Sequence, residues 1–130
     1  MKRKFIDNLN ISSARDVCND SNDDRMGTWI QENNDYGFDS RETWNLDIVM
    51  VELLYERLKK YLDVSTVNLE FHTYDVDGVL LTQKQVIDKI IENCEIVLVS
   101  NHNLDSDMGT ANRKKDIWIY WSIIENSMWW

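Results

Sequence analysis

Apolar side chains at helical spacing constrain the fold of this chain more than any other feature of its sequence. Between residues 44 and 62 they recur at intervals of three or four, at Trp44, Ile48, Val51, Tyr55, Leu58 and Leu62. This spacing keeps one apolar stripe on one side of an α-helix. Asp39 and Glu42 have the spacing of a capping box, so the sequence predicts that this helix begins at residue 39.

Two further segments show the same kind of pattern. Thr82 and Gln85 form a second capping box, which precedes apolar residues at Ile87, Ile90, Ile91, Cys94, Val97 and Leu98. After a polar stretch over residues 101–112, which we interpret as a loop, a third helix is marked by Ile117, Trp121, Ile124 and Met128. The sequence therefore predicts a mostly α fold with a compact three-helix core.

The remaining segments have weaker signals. Residues 1–35 are rich in Asn, Asp and Ser, which compete with the backbone for hydrogen bonds, so they are predicted to be an irregular acidic segment docked on a helical domain of residues 36–130. Residues 67–81 alternate like strands and contain Asp77 and Gly78 at a turn, which fits a small β-hairpin or an ordered loop. We favour the loop because an isolated hairpin is marginally stable.

Negative charge is concentrated in one part of the sequence. Residues 16–56 contain eleven Asp or Glu and two Arg, so this segment accounts for the whole net charge of −9. Such a surface repels nucleic acid and anionic membranes and attracts basic proteins, although solubility alone explains the charge equally well. We therefore predict a host protein partner with a basic surface, contacted by Asp20, Asp23, Asp24, Glu32, Asp35, Asp39 and Glu42.

No catalytic or metal-binding pattern is present in the sequence. His72 and His102 lack Cys, Ser or a second His at ligand or triad spacing, and the acidic runs at residues 75–78 and 101–107 depart from the EF-hand pattern. We expect no enzyme activity, metal or cofactor. Cys94 is predicted to be a small buried hydrophobe, and the absence of a signal peptide or spanning segment favours the cytoplasm.

The six tryptophans are expected to lie mostly in the core, because each indole buries a large apolar area. Trp129 and Trp130 are adjacent, so on a helix they cannot both face one seam, and we expect at least one at a partner interface or a homo-oligomer contact. Asp47 is expected beside the apolar stripe with a partner. A structural hydrogen bond is the favoured interpretation, and a ligand pocket shared with Trp44 is the alternative.

Three segments, residues 36–47 with the sequence W-x-L-D, residues 81–91 and residues 118–130, resemble a family of small phage and prophage proteins. The match spans residues 36–130 and departs from the family at Val86, where a tryptophan is usual. The resemblance implies a mostly helical fold and a location in the host cell, without a known activity. It also implies structural signature positions at Trp44, Asp47, Asp88 and Trp121.

Phage accessory proteins of this size without catalytic motifs are commonly inhibitors of host machinery, which is an argument by analogy. We therefore expect a non-enzymatic inhibitor, of the anti-CRISPR or immune-evasion kind, that binds a host defence factor through its acidic surface. The alternative is an oligomeric small-molecule binder that sequesters a nucleotide immune messenger between aromatic side chains. Its available cations are Arg41, Arg113, Lys114 and Lys115.

Overall fold

The computed structural model of the protein describes residues 22–102 and 108–129. The α-helices among them are α1 (Met26–Tyr36), α2 (Leu46–Val64), α3 (Gln83–His102) and α4 (Met108–Ile124). Two 3-10 helices lie at Ser40–Thr43 and Glu125–Ser127, and two antiparallel strands are β1 (Thr73–Val76) and β2 (Val79–Thr82). The predicted mostly α fold class is confirmed.

The chain divides into two compact units, Met1–Leu53 and Leu54–Trp130, which we call unit 1 and unit 2. The division falls inside α2. The predicted boundary between residues 35 and 36 falls in the last turn of α1, within unit 1. Among the described residues, none of the helices combines the length and the apolar character that crossing a membrane requires.

Helix α1 corrects the prediction of an irregular segment up to residue 35. Its only buried residue is Trp29, so one indole anchors this otherwise polar helix. Gly37 ends it in the left-handed conformation, with φ of 81°, and its backbone N–H donates to the Asn33 carbonyl oxygen. Glycine adopts this conformation without steric cost, which makes it a common helix terminator.

The capping box at Asp39 is present, but it begins a 3-10 helix and not α2. The Asp39 backbone N–H donates to the Glu42 carboxylate at 3.1 Å, and the Asp39 side chain accepts in return. Helix α2 begins at Leu46, after a break at Trp44 and Asn45. Of the predicted apolar stripe, Ile48, Val51 and Leu58 are buried.

The segment of residues 67–81 contains a β-hairpin, so the preference for an ordered loop was wrong. The strands pair from Thr73 with Thr82 to Val76 with Val79, and the turn consists of Asp77 and Gly78. Both turn residues have positive φ, 52° and 83°, as a type I′ turn requires. The hairpin is also continuous with α3, because Thr82 and Gln85 form the predicted capping box with hydrogen bonds of 2.9 and 3.1 Å.

Helices α3 and α4 pack against each other in unit 2. The predicted apolar positions of both helices supply much of the buried interior, which contains Val86, Ile87, Ile90, Cys94, Val97, Ile117 and Ile124. Helix α3 extends to His102 and α4 begins at Met108, so the predicted polar loop over residues 101–112 was too long. Residues 103–107 lie outside the described part of the chain.

Candidate functional site

The acidic residues predicted to contact a partner are largely engaged within unit 1. Asp23 pairs with Arg25 at 2.9 Å, and the Asp35 carboxylate accepts from Gln31 at 3.0 Å. One oxygen of Glu32 accepts from Ser40 at 2.6 Å, and the other is buried. Among the acidic residues predicted to contact a partner, Asp24 is the one that is exposed in the part of the chain that the structure describes. Asp20 lies outside that part. The predicted acidic face is therefore much smaller than the charge of residues 16–56 indicates.

Asp39 has a structural role, which corrects its assignment to a partner-binding surface. The residue is only 3% exposed, and its carboxylate accepts three hydrogen bonds from the backbone and guanidinium of Arg41 at 2.8 to 3.0 Å. Burial by itself raises the pKa of Asp39, but the hydrogen bonds from Arg41 and Asn33 and the charge of Arg41 outweigh it and lower the pKa. The carboxylate therefore stays ionised against the buried guanidinium.

Two arginines of unit 1 stack on its tryptophans. The Arg25 guanidinium lies 5.0 Å from the ring centroid of Trp29 and 5.1 Å from that of Trp44, and Arg41 lies 4.7 Å from that of Trp29. The two indoles meet edge to face at 5.7 Å. Cation–π attraction of this kind contributes about 0.5 to 2 kcal/mol per contact. We call Arg25, Trp29, Arg41 and Trp44 the tryptophan–arginine cluster.

The other predicted signature residues lie mostly at the surface. Asp88 is exposed and pairs with Lys84 one helical turn away at 3.0 Å, and Asp47 is exposed on the first turn of α2. Trp121 is half-buried. The expectation that most tryptophans are core residues was wrong for the described chain, where Trp29 is the one that is buried.

Unit 2 contains a groove of about 520 Å³ between the hairpin and the end of the chain. It is partly open to solvent, and its size lies in the range of small-molecule sites. Aromatic rings and uncharged polar side chains line it: Val67, Asn68, Phe71, His72, Thr73, Tyr74, Gln83, Asn126, Ser127 and Trp129. We call it the aromatic groove.

Hydrogen bonds between distant parts of unit 2 hold the two sides of the aromatic groove together. The Tyr74 hydroxyl bonds to that of Ser127 at 2.9 Å, and the buried Gln83 amide donates to the Ser127 carbonyl oxygen at 3.1 Å. The Tyr61 hydroxyl donates to the Trp129 carbonyl oxygen at 2.8 Å. Bonds to the backbone carbonyl oxygens of Ser127 and Trp129 therefore hold residues 127–129 against the rest of unit 2. The indole of Trp129 takes no part in these bonds and is exposed.

Two aromatic side chains of the groove are highly exposed. Phe71 is 76% exposed and Trp129 is 75% exposed, and the Phe71 ring meets the imidazole of His72 edge to face at 5.1 Å. Exposed apolar surface of this kind commonly marks an interaction site. Trp129 lies after the end of α4 at Ile124, so the expected argument from adjacent positions on a helix does not apply to it. The expected interface or homo-oligomer contact at one of the last two tryptophans stays a prediction. Trp130 lies outside the described residues.

The aromatic groove holds little that supports catalysis. Among its described lining residues there is no Asp, Glu, Lys or Arg, and the described chain contains no cluster of His, Cys, Asp and Glu that could hold a metal ion. Cys94 is fully buried, as predicted, and burial, with the nearby charge of Glu95, raises the pKa of its thiol to about 12. The thiolate that acts as a nucleophile is therefore scarce near neutral pH.

The aromatic groove brings together residues that are far apart in the sequence. His72, Phe71 and Tyr74 lie in the segment that we interpreted mainly as a loop, and their partners Asn126, Ser127 and Trp129 are more than 50 residues away in the sequence. The sequence does contain one indication of the groove. Phe71, His72 and Tyr74 place three rings within four residues beside a turn, which is unusual for a segment that only connects two helices.

Known families, characterised proteins and solved structures were compared with this chain, and none of them matches it. The resemblance to small phage and prophage proteins therefore stays a prediction.

Proposed function

We propose that this protein is a non-enzymatic binding protein and that the aromatic groove of unit 2 contacts its partner. The observation that carries the proposal is the exposure of Phe71 and Trp129 on a groove of about 520 Å³. Each exposed ring loses contact with water when a partner covers it, and burial of a large aromatic side chain is a main source of energy at protein interfaces. The uncharged polar residues beside the rings supply hydrogen bonds that orient the bound segment.

The proposed partner is a host protein with a basic surface. The net charge of −9 attracts such a surface over distances of about a Debye length and raises the rate of association. Because much of the acidic segment of residues 16–56 is engaged within unit 1, we assign its charge to long-range attraction and the direct contacts to the aromatic groove. A more specific version of this proposal is that the protein inhibits a host defence factor. The support for that version is the resemblance to phage proteins.

A matched pair of variants tests the proposal. Phe71→Ser combined with Trp129→Ser removes both exposed rings of the groove, while Trp118→Ser removes an exposed indole outside it. The immobilised full chain is incubated with host-cell lysate at low salt. We expect one defined protein to bind to the wild type and to Trp118→Ser, to be lost with the double variant, and to elute as salt rises. Identical capture by all three proteins contradicts the proposal.

A second candidate function is small-molecule binding, which the volume of the groove favours. The two outermost rings could stack on a planar base. Nucleotide phosphates, however, would find no Lys or Arg among the described lining residues. A thermal-shift screen with nucleotides and nucleosides separates the two functions, because a ligand that binds the native state raises its melting temperature.

A further inference from the structure

We infer that the aromatic groove recognises arginine side chains of a basic partner segment, which stack on the rings of Trp129 and Phe71. This inference rests on the proposed function and names the chemistry that the groove selects. It follows from three properties of the groove: the charge of the segments that form it, the exposure of its rings, and the acceptors beside them.

The charged residues of the two segments that form most of the groove are all acidic. Lys84, which follows the lining residue Gln83, pairs with Asp88 at 3.0 Å. Residues 64–82 and 125–129 supply all the lining residues except Gln83. They contain four acidic residues and no Lys or Arg: Glu70, Asp75, Asp77 and Glu125. All four are exposed. These carboxylates therefore attract a cationic side chain toward the groove and repel a phosphate group.

The exposed rings select the kind of cation. An aromatic face attracts any cation, but the planar and weakly hydrated guanidinium of arginine stacks on it, whereas the lysine ammonium is a strongly hydrated point charge. In the described chain no guanidinium or ammonium lies over Trp129 or Phe71, while Lys59 lies over Tyr55 and two arginines lie over the indoles of unit 1. The groove thus presents ring faces that a cation from another molecule can occupy.

Acceptors for the guanidinium N–H groups lie in the same groove. Asn126 is exposed and borders Ser127, and Thr73 is exposed on the opposite side, in β1. Side-chain amide, hydroxyl and backbone carbonyl oxygens can accept from the five N–H donors of an arginine without an ion pair. A stacked guanidinium can therefore satisfy its hydrogen bonds while it remains on the ring.

The test measures binding of the full chain to two fluorescent peptides of equal length and charge, an oligo-arginine and an oligo-lysine. Long-range attraction to the acidic protein depends on the charge of the peptide, which is equal for the two. Any preference that arises from pairing of arginine with carboxylates outside the groove persists when the two rings are removed, so the double alanine variant identifies the part that is due to stacking. Two stacked rings are expected to make the arginine peptide bind about tenfold more tightly. Fluorescence anisotropy gives the two dissociation constants, and quenching of tryptophan emission reports contact with an indole.

Three variants locate the preference for arginine. Phe71→Ala combined with Trp129→Ala should bring the arginine peptide to the affinity of the lysine peptide, whereas Trp129→Phe should restore part of the preference because it keeps a ring. Trp118→Ala, an indole outside the groove, should leave both constants unchanged. Both groove side chains are exposed, so far-UV circular dichroism should show that the variants fold.

Equal binding of the two peptides to the wild type overturns the inference, as does the same arginine preference in the double alanine variant. The outcomes also separate the inference from the proposed function. If the groove variants lose the partner captured from lysate but the two peptides bind equally, the protein-binding function stands and arginine recognition fails. If capture is independent of the groove, the proposed function fails, and the arginine inference, which rests on it, falls as well.

Discussion

Units 1 and 2 use the same side-chain chemistry in opposite ways. In unit 1, Trp29 is 2% exposed and Trp44 is 42% exposed, and arginines of the chain itself stack on both rings. In unit 2, Phe71 and Trp129 are about three-quarters exposed, and the charged residues of the segments that carry them, residues 64–82 and 125–129, are all acidic. The comparison indicates that the tryptophan–arginine cluster is satisfied within the fold, whereas the aromatic groove is the place where we propose that a cation from a partner binds.

The largest expected effect comes from removal of the charge of Asp39, which tests whether the tryptophan–arginine cluster stabilises unit 1. Asp39→Asn keeps the shape of the side chain but leaves the buried Arg41 without its carboxylate, and breaking a buried ion pair in this way costs about 3 to 5 kcal/mol. Asp23→Asn is the control, because its partner Arg25 is exposed and such a pair contributes less than about 1 kcal/mol. Urea unfolding followed by circular dichroism gives both values. Equal losses would show that the tryptophan–arginine cluster does not depend on its buried pair.

Acid should weaken the same ion pair. The pKa of Asp39 is lowered in the folded protein from its ordinary value of 3.8, so the carboxylate binds a proton less readily there than in the unfolded chain. Its contribution to stability is therefore complete above that ordinary value and is lost as the pH falls through the lower, folded pKa. The difference in unfolding free energy between the wild type and Asp39→Asn should be constant near neutral pH and shrink in strong acid. A difference that does not change with pH would contradict the lowered pKa.

Removal of Gln83 tests whether the groove of unit 2 is held open by its internal hydrogen bonds. Gln83 is buried and donates to the Ser127 carbonyl oxygen and to the Met128 sulfur. Gln83→Ala leaves that carbonyl oxygen without this donor, so we expect a loss of about 1 to 3 kcal/mol in unfolding free energy. Gln31→Ala, at an exposed helical pair, is the control and should change stability by less than about 0.5 kcal/mol. Weaker binding at the groove should accompany the loss only for Gln83→Ala.

The helices and their capping boxes could be predicted because both depend on residues close together in the sequence. The buried positions Ile87, Ile90, Cys94 and Val97 follow the predicted spacing, and the Thr82 and Gln85 hydrogen bonds follow from four consecutive residues. Helix α1 was missed because a single buried tryptophan, and not a stripe, anchors it. The spacing of apolar residues was therefore sufficient to predict a helix where several of them share one face.

The two clusters compared above could not be predicted in the same way. The tryptophan–arginine cluster joins Arg25 to Trp44, and the aromatic groove joins Tyr74 to Ser127, so each depends on tertiary contacts. The burial of Asp39 had a signal that we did not use. Arg25 and Arg41 are the only cations among eleven acidic residues of the segment 16–56, which favours internal pairing over exposure of every carboxylate.

The smallest expected effect comes from the two glycines, one in each unit, at which an added methyl group meets nothing within 4 Å. Gly78→Ala places alanine at φ of 83° in the type I′ turn, so the cost is conformational, about 1 kcal/mol. Gly27→Ala lies in α1, where alanine is the better helix former, and should stabilise unit 1 by about 0.5 kcal/mol. Urea unfolding measures both changes in unfolding free energy. A loss for Gly78→Ala together with a gain for Gly27→Ala would show that the turn requires a positive φ at residue 78. This turn sets the geometry of the hairpin, which forms one wall of the groove. A gain in stability from Gly78→Ala would mean that this turn relaxes freely, and the aromatic groove would then lack the rigid wall that stacking on Phe71 and Trp129 requires.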